Sequence, residues 1–257
     1  MKEKLIEEVK SLPKFELTPV FFENGKRIDN FVAVTERESR YVVAMVSPKY
    51  SLVQFEEIFL PIIESIEEEI TGNVLYYFGK AYMTIFPEGE RYETENGRIG
   101  LVVKNSVDKS LSVVIQFAIK HDEVGMIFLP TKKMKEFRRK HLGNVKAEMD
   151  SVKKFVIDVR NLWKNFYERL HEVETDEEYA EEILKMCKFG KNAIRTIKSR
   201  LFTRKLNGEV KKPKLWELFV EMAREVGKGK YKSEIHRINK LNKISEVLYD
   251  VAMAEEI

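Results

Sequence analysis

Cysteine and glutamine are almost missing from this chain of 257 residues. The single cysteine, Cys187, excludes an intramolecular disulfide and a metal cluster built from cysteines, and it indicates a reducing compartment. Glutamine occurs only at Gln54 and Gln116, while charged residues make up 34% of the chain. This balance is typical of heat-adapted proteins, because they carry many surface ion pairs and few labile side chains. We therefore expect a thermophilic source.

Long apolar runs are missing as well. Charged side chains are spread through residues 1–14, so this segment lacks the apolar core of a secretory signal. No later stretch approaches the roughly 18 apolar residues that a membrane-spanning helix needs. The sequence therefore predicts a cytoplasmic protein that makes no contact with membranes.

The common catalytic and phosphate-binding motifs are absent too. There is no Walker-type phosphate loop, no Gly-x-Gly-x-x-Gly turn and no Gly-x-Ser-x-Gly elbow. The four histidines, His121, His141, His171 and His236, are scattered and form no pair at metal-ligand spacing. His121-Asp122-Glu123 could hold a metal, but a polar turn between strands explains it more simply. We predict no cofactor, no metal and no catalytic residue, which favours a role without catalysis and leaves an enzyme open.

The pattern of the residues that are present predicts an α+β protein with a strand-rich region at 1–130 and a helical region at 131–257. A charged helix opens the chain up to about Leu12, and strands rich in β-branched and aromatic residues follow from Phe31. A helix from Phe55 to Ile70 interrupts them. We expect a curved, mostly antiparallel sheet of about six or seven strands with this helix on one face. The two regions form one compact domain or two closely packed subdomains.

Apolar residues at helical spacing mark the second region. The predicted helices cover Val145–Leu170, the segment after Thr175, Lys191–Leu206, Lys214–Val226 and Ser233–Ala254. Thr175 to Glu178 spells a capping box for the second of these helices, and Gly190 is expected to end it.

The charge is divided unevenly between the two regions. Residues 1–130 hold 15 Lys and Arg against 21 Asp and Glu, a net charge of −6. Residues 131–257 hold 30 against 21, a net charge of +9. A surface that binds a polyanion is therefore expected in the second region.

Two basic clusters stand out in the second region. In the run from Lys185 to Lys214 only Glu209 is acidic, and Lys191, Arg195, Lys198 and Lys205 fall on one helical face. Ile194, Ile197 and Leu201 fall on another face, so the helix can dock and still present cations to phosphates. The second cluster spans 132–141 and includes Phe137. The predicted phosphate contacts are Lys132, Lys133, Arg138, Arg139, Lys140, Lys191, Arg195, Lys198, Arg200, Arg204 and Lys205.

Both clusters have a plainer interpretation. The first is also what the solvated face of a Lys-rich protein looks like, and the second can be a charged linker with Met134 and Phe137 packed inward. Aromatic side chains on the expected strands could stack on unpaired bases, although alternate positions of a strand face the core. These aromatic residues are Tyr76, Tyr77, Tyr82, Phe86 and Tyr92.

Several segments together resemble the phage- and plasmid-borne family known as domain of unknown function 932. The matching segments are Tyr50–Gln54 followed by a helix, Asn105–Ser110, Gly125-Met126, Arg139–Asn144 and Trp216–Phe219. In order, they cover most of the chain from Tyr50 to Ala254. The chain departs from the family pattern at Ile119–Val124, where the family has Arg-x-x-Cys-x-Asn, so it is identified as a divergent member.

The resemblance implies a protein of a mobile genetic element. The strand-helix-strand core of the family is similar to that of single-strand annealing recombinases, which pass one DNA strand over a basic groove in an oligomeric ring. We therefore expect a sequence-nonspecific DNA-binding protein, active on single strands in recombination or replication and able to form a homo-oligomer. A metal-dependent enzyme acting on nucleic acid and a structural or regulatory protein-interaction protein remain alternatives.

Overall fold

The computed structural model describes residues 2–94, 96–108, 110, 113–129, 137–139, 156–202 and 212–254, with the backbone alone at 137–139 and 156–158. The described part contains seven α-helices and ten β-strands. The helices are α1 (Lys2–Lys10), α2 (Phe55–Ser65), α3 (Val156–Glu172), α4 (Glu177–Met186), α5 (Lys191–Leu201), α6 (Leu215–Lys228) and α7 (Glu234–Ala252). The strands are β1 (Phe15–Phe21), β2 (Arg27–Glu36), β3 (Val42–Val46), β4 (Ile70–Tyr77), β5 (Lys80–Pro87), β6 (Glu93–Thr94), β7 (Gly97–Ser106), β8 (Val113–His121), β9 (Gly125–Phe128) and β10 (Phe137–Arg139).

The α+β class and the helical second half are confirmed, but the strands are divided between two sheets. Strands β1, β2 and β3 form a three-stranded antiparallel sheet in that order. The other seven strands form a second sheet in the order β10-β8-β7-β5-β4, with β6 beside β7 and β9 beside β8. No helix within the described residues is long and apolar enough to span a membrane.

The chain divides into two units, each built from several segments. The first unit comprises Met1–Glu93, Gly100–Gln116 and Lys135–Phe155. The second unit comprises Thr94–Ile99, Phe117–Met134 and Val156–Ile257. Strands β7 and β8 contribute residues to both units, so the division does not follow a single point in the sequence.

In the first unit, helix α2 supplies the centre of the core. Its side chains Phe59, Ile62 and Ile63 are fully buried. The ring of Phe55 contacts Phe15 of β1 edge-on at 5.8 Å. Just before this helix, the Gln54 side chain accepts a hydrogen bond from the Phe15 N–H and donates one to the Phe15 carbonyl, both at 3.0 Å. The side-chain amide of Gln54 therefore bonds to the backbone of Phe15 as a second neighbouring strand would, and it holds β1 beside the start of α2.

In the second unit, helices α3, α6 and α7 pack around a core rich in aromatic residues. Helix α3 buries Val159, Trp163, Phe166 and Leu170, the spacing expected from the sequence. Its expected start at Val145 lies outside the described residues. Ser245 in the middle of α7 accepts a hydrogen bond from the N–H of Phe128 in β9 at 3.0 Å. This buried hydroxyl joins α7 to the strand.

Several helix ends differ from the expectation. Helix α2 ends at Ser65 and not at Ile70, which is the first residue of β4. The N-cap of α4 is Asp176, not Thr175, because the Asp176 carboxylate accepts a hydrogen bond from the Tyr179 N–H at 2.8 Å. The same helix ends before Gly190, with Lys188 in the left-handed conformation at φ 57°. The Phe189 N–H then bonds the Leu184 carbonyl at 3.0 Å, a C-terminal bond that usually goes with glycine at the left-handed position. Gly190 instead precedes α5 as its N-cap.

Candidate nucleic-acid interface

Helix α5 has the amphipathic geometry that its sequence predicts. Ile194, Ile197 and Leu201 are buried, which docks one side of the helix in the second unit. Lys191 and Arg195 lie on the exposed side, and neither forms an ion pair with another described residue. The first turn contains no acidic residue and Gly190 offers no side-chain cap, so the positive end of the helix dipole is not offset locally.

Lys198 has a different environment from these two residues. Its ammonium group lies 3.1 Å from a Glu177 carboxylate oxygen and hydrogen bonds to Glu181, both on α4. Its side chain is only 20% exposed. Hydrogen bonds from Lys185 and Lys198 lower the pKa of Glu181 from its ordinary 4.5 to about 2, and the bond to Glu181 raises the pKa of Lys198. The charge of Lys198 is therefore offset by acids of the protein itself.

Arg200 is held in a similar way by helix α6. One guanidinium nitrogen lies 3.1 Å from Glu221 and 3.6 Å from Glu225. Glu221 is buried, at 7% exposure, and also pairs with Arg224. A phosphate would have to compete with these carboxylates for Lys198 and Arg200. The predicted role of these two residues as phosphate contacts therefore stays a prediction. Lys191 and Arg195 carry no such restriction.

The other predicted contacts are only partly placed. Arg138 and Arg139 lie on β10, where they pair with Val114 and Val113 of β8. The structure describes only the backbone of these two residues. Their strand β10 is the first in the strand order of the seven-stranded sheet, so it lies at the edge of that sheet. Lys132, Lys133, Lys140, Arg204 and Lys205 lie outside the described residues.

The aromatic residues proposed for base stacking divide into two groups. Tyr82, Phe86 and Tyr92 are buried core residues, with 5% exposure or less. Tyr76 and Tyr77 are partly exposed on β4. The interpretation as core residues therefore holds for three of these five side chains.

Several strongly exposed aromatic residues were not predicted, among them Tyr41 and Phe78. Phe78 is 55% exposed and Tyr41 is 51% exposed, and their ring centroids lie 5.9 Å apart. The sequence places the β4–β5 turn at Gly79-Lys80-Ala81, but Tyr77 pairs with Lys80 in the structure. The turn is therefore Phe78-Gly79. A glycine at the second position of a two-residue hairpin turn is the signal that could have identified it.

His121 lies at the end of β8, in an aromatic cluster of the second unit. Its ring centroid is 4.8 Å from that of Trp216 and 6.1 Å from that of Tyr167. Its Nδ1 accepts a hydrogen bond from the Glu123 N–H at 3.1 Å, which supports the expected polar turn between two strands. Burial of the ring lowers the pKa of His121. Within the described part of the chain, no group of three or more His, Cys, Asp or Glu side chains is arranged to hold a metal.

Cys187 is buried at the C-terminal end of α4. Burial raises the pKa of its thiol to about 12, so the thiol stays protonated and unreactive at neutral pH.

Comparisons with protein-family models, with curated proteins and with solved structures found no match for this chain.

Proposed function

We propose that this chain is a sequence-nonspecific DNA-binding protein that binds single strands through helix α5 and the basic residues near it. The observation that carries the proposal is the orientation of α5. Its apolar side is buried while Lys191 and Arg195 face solvent without an ion pair to another described residue. The resemblance described above extends the proposal to a cytoplasmic protein of a mobile element that protects or anneals strands in recombination or replication.

The physical basis of the proposed binding is the release of counterions. Each phosphate neutralised by Lys or Arg frees condensed cations from the nucleic acid, and this favours binding without regard to sequence. The net charge of +9 on residues 131–257 supplies the field that attracts the strand. Neither a cofactor nor a metal is part of this binding.

Binding of a labelled single-stranded oligonucleotide at several salt concentrations tests the proposal. If about six phosphates are neutralised, log affinity against log salt has a slope of about −4, at roughly 0.7 per phosphate. The double variant K191E/R195E should bind at least about tenfold more weakly, with a slope shallower by about 1.4, since two contacts of roughly 0.7 each are lost. Absence of binding by the wild-type protein at low salt would exclude the proposal.

A matched control lies in the first unit. Lys4 and Lys10 are exposed lysines of helix α1 in the acidic region, and K4E/K10E changes the net charge by the same amount as K191E/R195E. We expect this variant to bind almost as the wild type does. Equal losses for both variants would mean that only net charge matters and that α5 is not the contact surface. Cleavage of the strand that depends on added Mg²⁺ would indicate a nuclease instead.

A further inference from the structure

Strand β3 has an outer edge with which no strand of the described chain pairs. It lies at the end of the order β1-β2-β3, so its ladder of hydrogen bonds runs to β2 alone. Its five residues, Val42-Val43-Ala44-Met45-Val46, include no proline and no charged side chain. Such β-branched residues favour an extended strand. The edge therefore presents backbone N–H and C=O groups in the geometry that a further strand would bond.

Two other sheet edges of the first unit are protected in ways that the β3 edge is not. At the β1 edge, the Gln54 side chain bonds both backbone groups of Phe15 at 3.0 Å, and Pro19 has no N–H to offer. At the β4 edge, the Glu8 carboxylate of α1 accepts a hydrogen bond from the Val74 N–H at 3.2 Å. Proteins block edge strands with such devices because an open edge recruits other strands. The unprotected edge of β3 is therefore a candidate contact surface.

Two apolar side chains project beside the open edge. Val42 and Met45 are each half exposed. Met45 pairs with Ala33, and Val42 pairs with Thr35, which is two residues further along β2, so both side chains project from the same face of the sheet. A strand that paired with β3 would lay its own side chains against them. Apolar pairs of this kind across neighbouring strands stabilise a sheet.

The exposed apolar area near β3 is of the size that a stable dimer buries. Half-exposed rings of Phe31, Tyr41 and Phe78 add to Val42 and Met45, and the Tyr41 and Phe78 rings lie 5.9 Å apart. An aromatic side chain offers on the order of 200 Å², so these side chains together expose roughly 400 Å². A standard interface buries about 800 Å² on each partner, of which a little more than half is apolar. The side chains near β3 therefore supply most of the apolar area that a dimer needs.

We propose that the outer edge of β3 pairs with the same edge of a second copy of this chain, in antiparallel orientation, to form a twofold dimer. Antiparallel pairing about a twofold axis makes the strand its own complement, so no second kind of chain is required. Pairing centred on the strand brings Val42 of one copy near Met45 of the other and places Ala44 near the axis. The dimer closes at two copies, unlike a ring, and it does not depend on the proposed binding of DNA.

Sedimentation equilibrium over a range of protein concentrations tests this pairing. We expect the mass of the wild-type protein to approach twice the 30.2 kDa of one chain as the concentration rises. V42K/M45K places two lysines on each edge, and they repel those of the other copy across the axis, so the dissociation constant should rise at least about tenfold. Both positions are exposed in the single chain, so the melting temperature of the monomer should change little.

The opposite edge of the same sheet provides the matched control. Leu17 and Phe21 are exposed apolar residues of β1, and L17K/F21K changes the net charge by the same amount as V42K/M45K. This variant should dimerise as the wild type does. Equal dissociation of both variants would mean general apolar adhesion and would overturn the inference. So would a V42K/M45K that dimerises like the wild type, or a wild type that stays monomeric at every concentration. In that last case the edge is left to a strand of another protein.

Cross-linking tests the same geometry without disrupting it. A44C places a thiol at the middle of β3, while the single native cysteine, Cys187, is buried. In the paired strands the two thiols would lie on residues within the Cα separation of about 4.4–6.8 Å that a disulfide needs. Mild oxidation should therefore convert A44C into covalent dimers, whereas F22C, at an exposed residue just after β1, should remain monomeric. If A44C cross-links no faster than F22C, the β3 edges do not meet and the inference is wrong.

Discussion

The ammonium group of Lys198 on α5 hydrogen bonds to the carboxylate of Glu181 on α4, and it lies 3.1 Å from Glu177 on the same helix. This lysine therefore links two helices through their charged side chains. Arg195 lies one turn earlier on α5 and is exposed. Two cations of the same helix thus have different environments, and substitution can show what each contributes to stability.

Reversing the charge of Lys198 should destabilise the second unit. In K198E three carboxylates meet where the wild type has a bridged pair of acids, so we expect the melting temperature to fall by several degrees. R195E changes an exposed position and should stay within about 0.5 kcal/mol of the wild type. Thermal unfolding followed by circular dichroism measures both.

A charge swap shows whether the contact itself is responsible. K198E/E181K restores one pair of opposite charges across the two helices and should recover part of the loss. If K198E is as stable as R195E, the bridge contributes nothing and Lys198 is available to a ligand.

The acid side of the stability curve should depend on Glu181. Its pKa is about 2 in the folded chain and 4.5 ordinarily, so the folded state binds this proton less readily than the unfolded state does. The stability that this carboxylate contributes is complete above about pH 4.5 and is lost as the pH falls towards about 2. E181Q should therefore show a flatter melting temperature over this range than the wild type.

Glu182 is the control for this experiment, because it is exposed on the same helix. E182Q should follow the wild-type curve closely. Identical curves for E181Q and the wild type would show that the pair does not persist in solution.

Local sequence predicts the helices of the second half because their apolar period is strong. Val159, Trp163, Phe166 and Leu170 recur at the spacing of one helical face, and all four are buried. The three-stranded sheet is harder to predict. Pro19 interrupts the strand pattern of β1, yet the strand is tolerated at the edge of its sheet, where a missing N–H need not face a neighbour. The amide of Gln54 that holds β1 comes from 39 residues away.

The candidate interface shows the same limit. Helical spacing correctly separates the cations of α5 from Ile194 and Ile197. It does not reveal that Lys198 meets acids of α4 or that Arg200 meets Glu221 of α6. Which cations remain exposed is decided by the packing of neighbouring helices, and that information is not contained in the period of a single helix.

His121 should make the second unit less stable below neutral pH. Burial lowers its pKa, the nearby His171 acts in the same direction, and Asp122 and Glu123 oppose the shift. The folded state therefore disfavours the protonated ring. The stability contributed by the neutral ring is complete above the ordinary pKa of about 6.5 and declines as the pH falls below it.

Melting temperatures between pH 8 and pH 5 test this expectation. In H121N an amide oxygen can still accept the hydrogen bond from the Glu123 N–H, but the side chain does not titrate. The wild type should lose stability on acidification more steeply than H121N. The variant H236N, at an exposed histidine of α7, should keep the wild-type slope, and parallel curves for H121N and the wild type would contradict the assignment.

Two glycine substitutions should have opposite effects because their surroundings differ. A Cβ at Gly100 in β7 would lie 2.3 Å from the Phe86 ring and 2.4 Å from the Ile85 carbonyl oxygen. The oxygen belongs to the paired backbone of the sheet and cannot move easily, so G100A should cost about 2–3 kcal/mol.

A Cβ at Gly227 in α6 meets no atom within 4 Å, and its backbone is helical. G227A should therefore stabilise the protein by about 0.5 kcal/mol, because alanine restricts the unfolded chain more than glycine does. Denaturant unfolding of both variants measures the two effects. A stable G100A would show that Phe86 does not lie over β7 in solution, whereas a destabilised G227A would show that the last turn of α6 is packed more closely than the structure indicates.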